Sequence, residues 1–485
     1  MITGITFLGW CHDKNREGLQ LICKYANVPC TFTEDLATAL AAPGNFIICT
    51  PITVSFNPII TDKKVLYGPH VDCKQIDRVH RAFNFNTLSD WVTNCLHTVY
   101  GLKAIPFVLP FAVNVEKFKP SQQTKDRVFL YIKRRDNSVV EHIKKQYNFT
   151  DIFTYGSYDE HHYINVLNSS KFGVWIGTQE SQGFALQEAL SMNIPLIVCD
   201  ADSVLDETNS GHTQHAPATT APYWDNRCGI KLTKPYSTIK ETIDFMEQNW
   251  NTFKPRDYIL ETLSPKACFD RFNDWFINTH EHVFCVTSVI NTCNSPLSYS
   301  NTRSIYSAEE RLTQTLNTIS SIKQRVPNAF VLVIEGSVLS QEQLDCLSKA
   351  ADRVVAVNVP EINGPYKSLG ESKLLLKALE CVSELNFNYF WKLSGRYRLT
   401  DNFNLNNWTE CLSQGKTTSP VMNTILFRVW RDDLNRFREF LVKSEQEFKH
   451  KSIEQLSIES GIFKDISTQI GIEGNIAVDG YKIIL

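Results

Sequence analysis

The chain has 485 residues, 43% hydrophobic, 21% charged and 11% aromatic, which is ordinary globular composition in a length that exceeds a single core. Its net charge of −3 gives no electrostatic footprint for nucleic acid, and no uninterrupted apolar run has the length of a membrane span, so only peripheral membrane contact stays open. MITGITFLGWCHD lacks the basic n-region and long apolar core of a signal peptide, and none of the fourteen cysteines forms a C-x-x-C, so buried free thiols in a reducing cytoplasm are expected.

In chain order, ITGITFLG (2–9) predicts a strand and NREGLQLICKYA (15–26) an amphipathic helix. EDLATALAA (34–42) follows as a helix, FIICT (46–50) and KVLYG (64–68) as strands, LSDWVTNCL (88–96) as a helix and FVLPF (107–111) as a strand. Alternation of this kind argues for a parallel sheet covered on both faces. After the polar break PSQQTKDR (120–127) the pattern restarts, with strands at 127–133, 171–177 and 194–200 and helices at 138–147, 159–170 and 183–192. Two doubly wound units joined by a short linker create a cleft facing the C-terminal ends of their sheets. The Trp- and Phe-rich stretch 236–280 reads as helices closing this module. A third α/β unit starts near HVFCVTSVI (282–290), with helices at 309–326, 340–351 and 372–385 and strands at 329–336, 353–359 and 388–395. The expected domains are therefore 1–120, 121–280 and 281–485.

ESQGFALQEALSMNIPLIVCDAD (180–202) contains two acidic pairs. Gly183 stands where a loop turns into a helix, so backbone can approach an anion closely, and the first amides carry the positive end of the helix dipole. Glu180 precedes the helix, and Glu188 lies about 7 Å inside it at ~1.5 Å per residue. Side chains lean toward the helix N-terminus, so Glu188 can look back along the cleft. One carboxylate can then take sugar hydroxyls and the other ribose hydroxyls, with a diphosphate at the amides between them. Two glutamates at this spacing are common by themselves; the glycine, the helix start and the flanking strands give them meaning.

ESQGFALQEALSMNIPLIV is similar to the E-x7-E signature of retaining GT-B glycosyltransferases of the GT4-like superfamily. VLPFAVNVEKFKP (108–120) resembles the interdomain segment of that family, and RVFLYIKRRD (127–136) its basic strand end, although the usual G-R-x-x-x-x-K spacing is not kept. The family's N-terminal Gly-Gly loop is missing, since GWCHD (9–13) offers one glycine. Over roughly residues 1–280 the resemblance implies a GT-B fold of two Rossmann-like domains, the first on the acceptor side and the second on the donor side. It implies that Glu180 binds the transferred sugar and Glu188 the ribose. Amides of Gly183, Phe184 and Ala185 would hold the diphosphate of a UDP- or GDP-sugar, helped by Lys133 and Arg135, without metal or other cofactor. The acceptor would be an oligosaccharide or glycoconjugate. No general base stands out; His70, after a strand of the first unit, is the candidate, against the commoner structural role of a lone histidine.

Asp200-Ala-Asp202 has D-x-D spacing but follows a strand of this metal-free unit, where capping of the next segment is the expected role. Asp225 and Arg227 are read as an ion pair that shapes the cleft. Residues from 281 on resemble a GT-A-like transferase unit. YFWKLSGRYRLTDNF (389–403) stands where that fold carries its metal motif, yet the strand ends in Lys392, Ser394, Arg396 and Arg398. A basic strand end can hold a diphosphate directly, so a divalent ion is not required there, nor is it ruled out. Arg303 and Glu310 are further candidates by position alone. The alternatives are an epimerase or phosphorylase on the GT-B fold, or an inactive scaffold that binds nucleotide sugar or glycan.

Overall fold

The first unit is built on two parallel sheets. Strands β1 (Ile5–Leu8), β2 (Cys30–Thr33), β3 (Phe46–Cys49), β4 (Lys64–His70), β5 (Phe85–Thr87) and β6 (Pro106–Val108) lie in the order β2-β1-β3-β4-β5-β6, and every pairing is parallel. All four residues of β1 and of β3 are buried, as strands covered on both faces must be. Ile5, Phe7, Phe46 and Ile48 pack with Leu19 and Ile22 of the helix Asp13–Ala26 on one face, while Leu8, Ile47 and Cys49 meet Ala39 of the helix Leu36–Ala41 on the other. The coordinates are a computed structural model, which describes residues 1–50, 61, 63–70, 84–98, 106–133, 137–204, 216–293, 295–357, 360–408, 413–418, 421–466 and 469–485. The chain divides into two units, Met1–Ile277 and Asn278–Leu485.

The second sheet comprises β7 (Arg127–Ile132), β8 (Asp151–Thr154), β9 (Ser170–Ile176), β10 (Leu196–Cys199) and β11 (Gly229–Leu232) in the order β11-β10-β9-β7-β8, again all parallel. Phe129, Tyr131, Trp175 and Val198 fill one face, with Tyr131 and Trp175 stacked at 3.8 Å. Val128, Leu130, Val174 and Ile197 fill the other, under the helices Asn137–Lys144 and Ile239–Asn249. The helix Pro265–Asn278 returns to the first sheet, setting Phe272 6.1 Å from Phe111 and Trp275 5.2 Å from Phe46. The unit is thus doubly wound in both halves. The strand order reverses between β1 and β3 in the first sheet and between β7 and β9 in the second, and ligands of such sheets bind in the crevice at the carboxyl ends of those strands.

The second unit has one larger sheet. Strands β12 (Thr279–Ser288), β13 (Phe330–Glu335), β14 (Arg353–Ala356) and β15 (Asn386–Ser394) run parallel in the order β14-β13-β12-β15. After β16 (Tyr397–Leu399) come β17 (Gln414–Thr418), β18 (Val421–Trp430) and β19 (Lys464–Asp465), which extend that sheet beyond β15; β18 is antiparallel to both neighbours. GIEGNIAVDG forms β20 (Ile472–Asn475) and the turn into β21 (Lys482–Ile484), and β20 pairs antiparallel with β16. Its glycines therefore belong to a hairpin. Ser307 and Glu310 form a capping box at the helix Ala308–Arg325, so Glu310 holds a helix end. The order reverses here between β12 and β15.

Four strands of the first unit, β2, β5, β8 and β11, have no counterpart in the sequence reading. They are three or four residues long, and β2 is only half-buried throughout, so neither an apolar run nor a clean alternation marks them. Among the described residues, no helix is long and apolar enough to cross a membrane, and the twelve described cysteines are free thiols.

Candidate functional site

Lys133 leaves the end of β7, and Glu180 stands in the loop after β9, so the two flank the reversal point of the second sheet. Lys133 Nζ donates to both carboxylate oxygens of Glu180, at 2.8 and 2.7 Å, and lies 4.4 Å from the centre of the Tyr155 ring. Both partners are largely withdrawn from solvent, with side chains 14% and 11% exposed, where a charge pair is worth more than at a surface. The Glu180 backbone is fixed from two sides: its N–H donates to the Thr219 carbonyl at 3.0 Å, and its carbonyl accepts from Trp91 Nε1 at 2.7 Å. Trp91 comes from the helix Asp90–Thr98 of the first half, so both halves of the unit shape this loop.

Gly183 precedes the helix Phe184–Ser191 with φ of 84°, in the left-handed region, and offers its first amides no side-chain cap. The φ, more than crowding, calls for glycine here, because a Cβ would come no closer than 3.4 Å to its neighbours. The amides of Phe184 and Ala185 therefore open the helix beside Glu180. Gln182 anchors the loop from behind: its side-chain oxygen accepts from Phe111 N–H at 3.1 Å and its amide donates to the Phe111 carbonyl at 2.7 Å. Gln182 is buried, so replacing it strands two backbone groups. Gln182→Ala is expected to lose about 1–3 kcal/mol of stability, read as a lowered midpoint in urea with unchanged slope.

Glu188 is 4% exposed, and its Oε1 accepts from Lys14 Nζ at 2.5 Å. Lys14 also donates to Glu160 at 2.7 Å, and Lys117 pairs with the other oxygen of Glu160. Burial pushes the Glu188 carboxyl up to about 7, against the pull of Lys14. Burial works against the Lys14 charge, but Glu188 and Glu160 outweigh it and hold the ammonium above its usual range. Lys14 follows the loop after β1, at the reversal point of the first sheet, where His12 caps the helix by accepting from Lys14 N–H at 3.2 Å. The two reversal points thus converge on the two glutamates. The sequence reading assigns neither Lys14 nor Trp91 to the site. The signal for Lys14 is its place as the first cation after the first strand-end loop.

Asp200 is committed elsewhere. It accepts from Thr219 Oγ1 at 2.8 Å and from Thr220 N–H at 2.7 Å, fixing the loop that holds Glu180. Asp202 pairs with Lys234 at 3.0 Å. Asp225 and Arg227 pair at 2.8 Å. His70 closes β4, with its side chain outside the described residues, as is all of Arg135.

In the second unit, alternation along β15 puts Lys392 on the face of Phe390. Lys392 is 1% exposed, ion-paired with Glu371 of the helix Lys367–Cys381 and bonded to Ser394 Oγ at 2.8 Å. Arg398 lies on β16, 62% exposed and paired with Glu473. Arg303 donates to the carbonyls of Ser295, Ile362 and Asn363 at 2.9 to 3.1 Å, tying two loops together. Arg396 alone of the four has an enclosed nitrogen, Nε, without a hydrogen-bond partner, and it lines a cavity with Arg303.

No protein-family model matches the chain, and no curated protein matches it. Among solved structures it is similar to TarM, at 15% identity over 48% of this chain and 54% of TarM, with a TM-score of 0.34. It is similar to sucrose-phosphate synthase from Thermosynechococcus elongatus, at 12% identity over 48% of this chain and 73% of that one, TM-score 0.34. It is also similar to the lipopolysaccharide outer core galactosyltransferase WaaB, at 12% identity over 56% of this chain and 99% of that one, TM-score 0.37. The chain spans about half the length of TarM.

Proposed function

We propose that the first unit is a metal-independent glycosyltransferase of the retaining GT-B kind, with residues 1–120 on the acceptor side and 121–280 on the donor side. The observation that carries this reading is the Lys133–Glu180 pair at the sheet's reversal point, immediately ahead of a glycine-led helix N-terminus. The amides of Gly183, Phe184 and Ala185 and the Lys133 ammonium take the donor's diphosphate. That arrangement stabilises the leaving group electrostatically, because its charge develops toward donors already in place. Released from Lys133 by the phosphate, Glu180 takes hydroxyls of the transferred sugar. Lys14 engages one oxygen of Glu188, and the other accepts from the ribose. His70, at the end of β4, is the candidate for activating the glycan acceptor. The free thiols fit a reducing cytoplasm.

We propose further that the second unit is a GT-A-like transferase module. Its reversal point between β12 and β15, and the antiparallel extension beyond β15, support that reading. The test of the first unit is a panel of UDP- and GDP-sugars in EDTA, with release of free nucleoside diphosphate as the readout. Release from at least one donor in EDTA is the expected result. Binding without turnover of any donor would instead favour a scaffold.

A further inference from the structure

At the reversal point of the second unit's sheet lies a cavity of about 390 Å³, walled by Ser288 at the end of β12 and Ser394 at the end of β15. That volume falls in the range of small-molecule sites, which run from about 300 to 1,000 Å³. Its charged lining is four cations, Arg303, Arg311, Lys367 and Arg396, against two carboxylates, Glu371 and Asp479. The carboxylates are engaged. Glu371 is ion-paired with Lys392 behind the cavity wall, and Asp479 accepts from Tyr481 N–H at 3.0 Å in the β20–β21 turn.

The cations divide into fixed and available ones. Arg303 is held by loop carbonyls, as described. Arg311 is 5% exposed and fixed by bonds to the Val289 carbonyl at 2.6 Å and Ser304 Oγ at 2.9 Å. Burial, reinforced by the neighbouring charge of Arg396, pulls its guanidinium down to about 10. Lys367 makes no hydrogen bond or ion pair among the described residues, although Glu371 and Glu454 attract its charge. Arg396 lies 5.8 Å from the centre of the Tyr397 ring and bonds that side chain, while its enclosed Nε has no partner. Cations are thus gathered against their mutual repulsion where an anion would relieve it, and that same repulsion opposes a divalent ion. The rest of the wall includes Val289, Leu297 and Ile362, an apolar surface suited to the flat body of a nucleoside.

We propose that this cavity binds a nucleoside diphosphate with Lys367 and Arg396 as its direct counter-ions, in place of a divalent cation. Arg311 backs the diphosphate, and the nucleoside lies along Val289, Leu297 and Ile362. The proposal deepens the transferase-like reading of the second unit and is independent of the reading of the first.

Calorimetric titration of the full chain with UDP and GDP in EDTA tests it, with inorganic pyrophosphate as a third ligand. At least one of the nucleotides is expected to bind the cavity, and Arg396→Ala to weaken that site about tenfold, as loss of a charge-assisted hydrogen bond does. The pair Lys367→Ala and Arg396→Ala should remove one bound equivalent, whether the unaltered chain binds one or two. Arg398→Ala, outside the cavity, should remove none. Binding rather than turnover is read, so a catalytically silent second unit that still loses one equivalent supports the proposal. An equivalent count unmoved by the double substitution overturns it, as does an equivalent that appears only with Mn²⁺ or Mg²⁺. Pyrophosphate binding as tightly as the better nucleotide overturns the nucleoside part. Should the double variant fail to fold, amide exchange on the unaltered chain decides: protection of 367–374 and 394–399 by the nucleotide supports the proposal, and unchanged exchange there overturns it.

Discussion

Glu180→Gln is expected to lower nucleoside diphosphate release from the donor sugar by about 100-fold or more, the scale of removing one preorganised electrostatic contact in an active site. Gln keeps the shape of the side chain, so the backbone bonds to the Thr219 carbonyl and from Trp91 Nε1 persist. What is lost is the charge that holds Lys133 in position and grips the sugar. Initial rates at varied donor concentration separate the two contributions, since a contact made mainly in the transition state moves kcat and kcat/KM together. A rate within about twofold of the unaltered chain, in a variant of unchanged thermal stability, would remove Glu180 from the mechanism.

The largest effect on stability is expected from Lys14→Met. This substitution removes the ammonium bonded to Glu188, and stranding one member of a buried pair costs roughly 3–5 kcal/mol. Lys14 is 28% exposed, which puts the expected loss near the lower end, at about 3 kcal/mol. Its pH dependence has a definite sign. Burial raises the folded-state pKa of Glu188 to about 7 from an ordinary 4.5, so the folded chain holds that proton more strongly than the unfolded one. Its contribution to stability is therefore most favourable at low pH and declines as pH rises from about 4.5 to about 7. Without Lys14 the carboxyl pKa climbs further, so the Lys14→Met defect is largest above pH 7 and shrinks toward pH 5. Adding Glu188→Gln should recover much of the loss at pH 8. Urea midpoints of the single and double variants at pH 5 and pH 8 check both statements.

The elements most legible in the sequence are those with a long apolar run or a marked helix start. ESQGFALQEALSM announces its helix through Gly183 and its flanking strands, and the helix spans Phe184–Ser191. The antiparallel extension of the second unit was not legible. Gln414–Thr418 and Val421–Trp430 mix polar with apolar residues, and β19 has only two residues. In the site, Lys133 announces itself at a strand end and Glu180 by its place just ahead of a glycine-led helix. Lys14 does not, because its contact with Glu188 spans 174 positions. Lys392 shows the converse. Its position suggests a phosphate ligand, but strand alternation turns it toward a helix that supplies Glu371. Nothing near Lys392 in sequence announces that carboxylate. Lys367 escaped notice for a similar reason: it starts a helix of the second unit, and only the packing of that helix beside β12 and β15 brings it to the cavity.

The central claim is that Lys133, Glu180 and the first amides of the helix Phe184–Ser191 form a donor site. The most direct measurement is a crystal structure of the full chain with an unhydrolysed UDP- or GDP-sugar, whichever is turned over, in EDTA. The diphosphate is predicted at the amides of Phe184 and Ala185, with Lys133 moved from Glu180 onto a phosphate oxygen and Glu188 on the ribose. A donor bound elsewhere in the first unit, with the Lys133–Glu180 pair intact, would contradict the account.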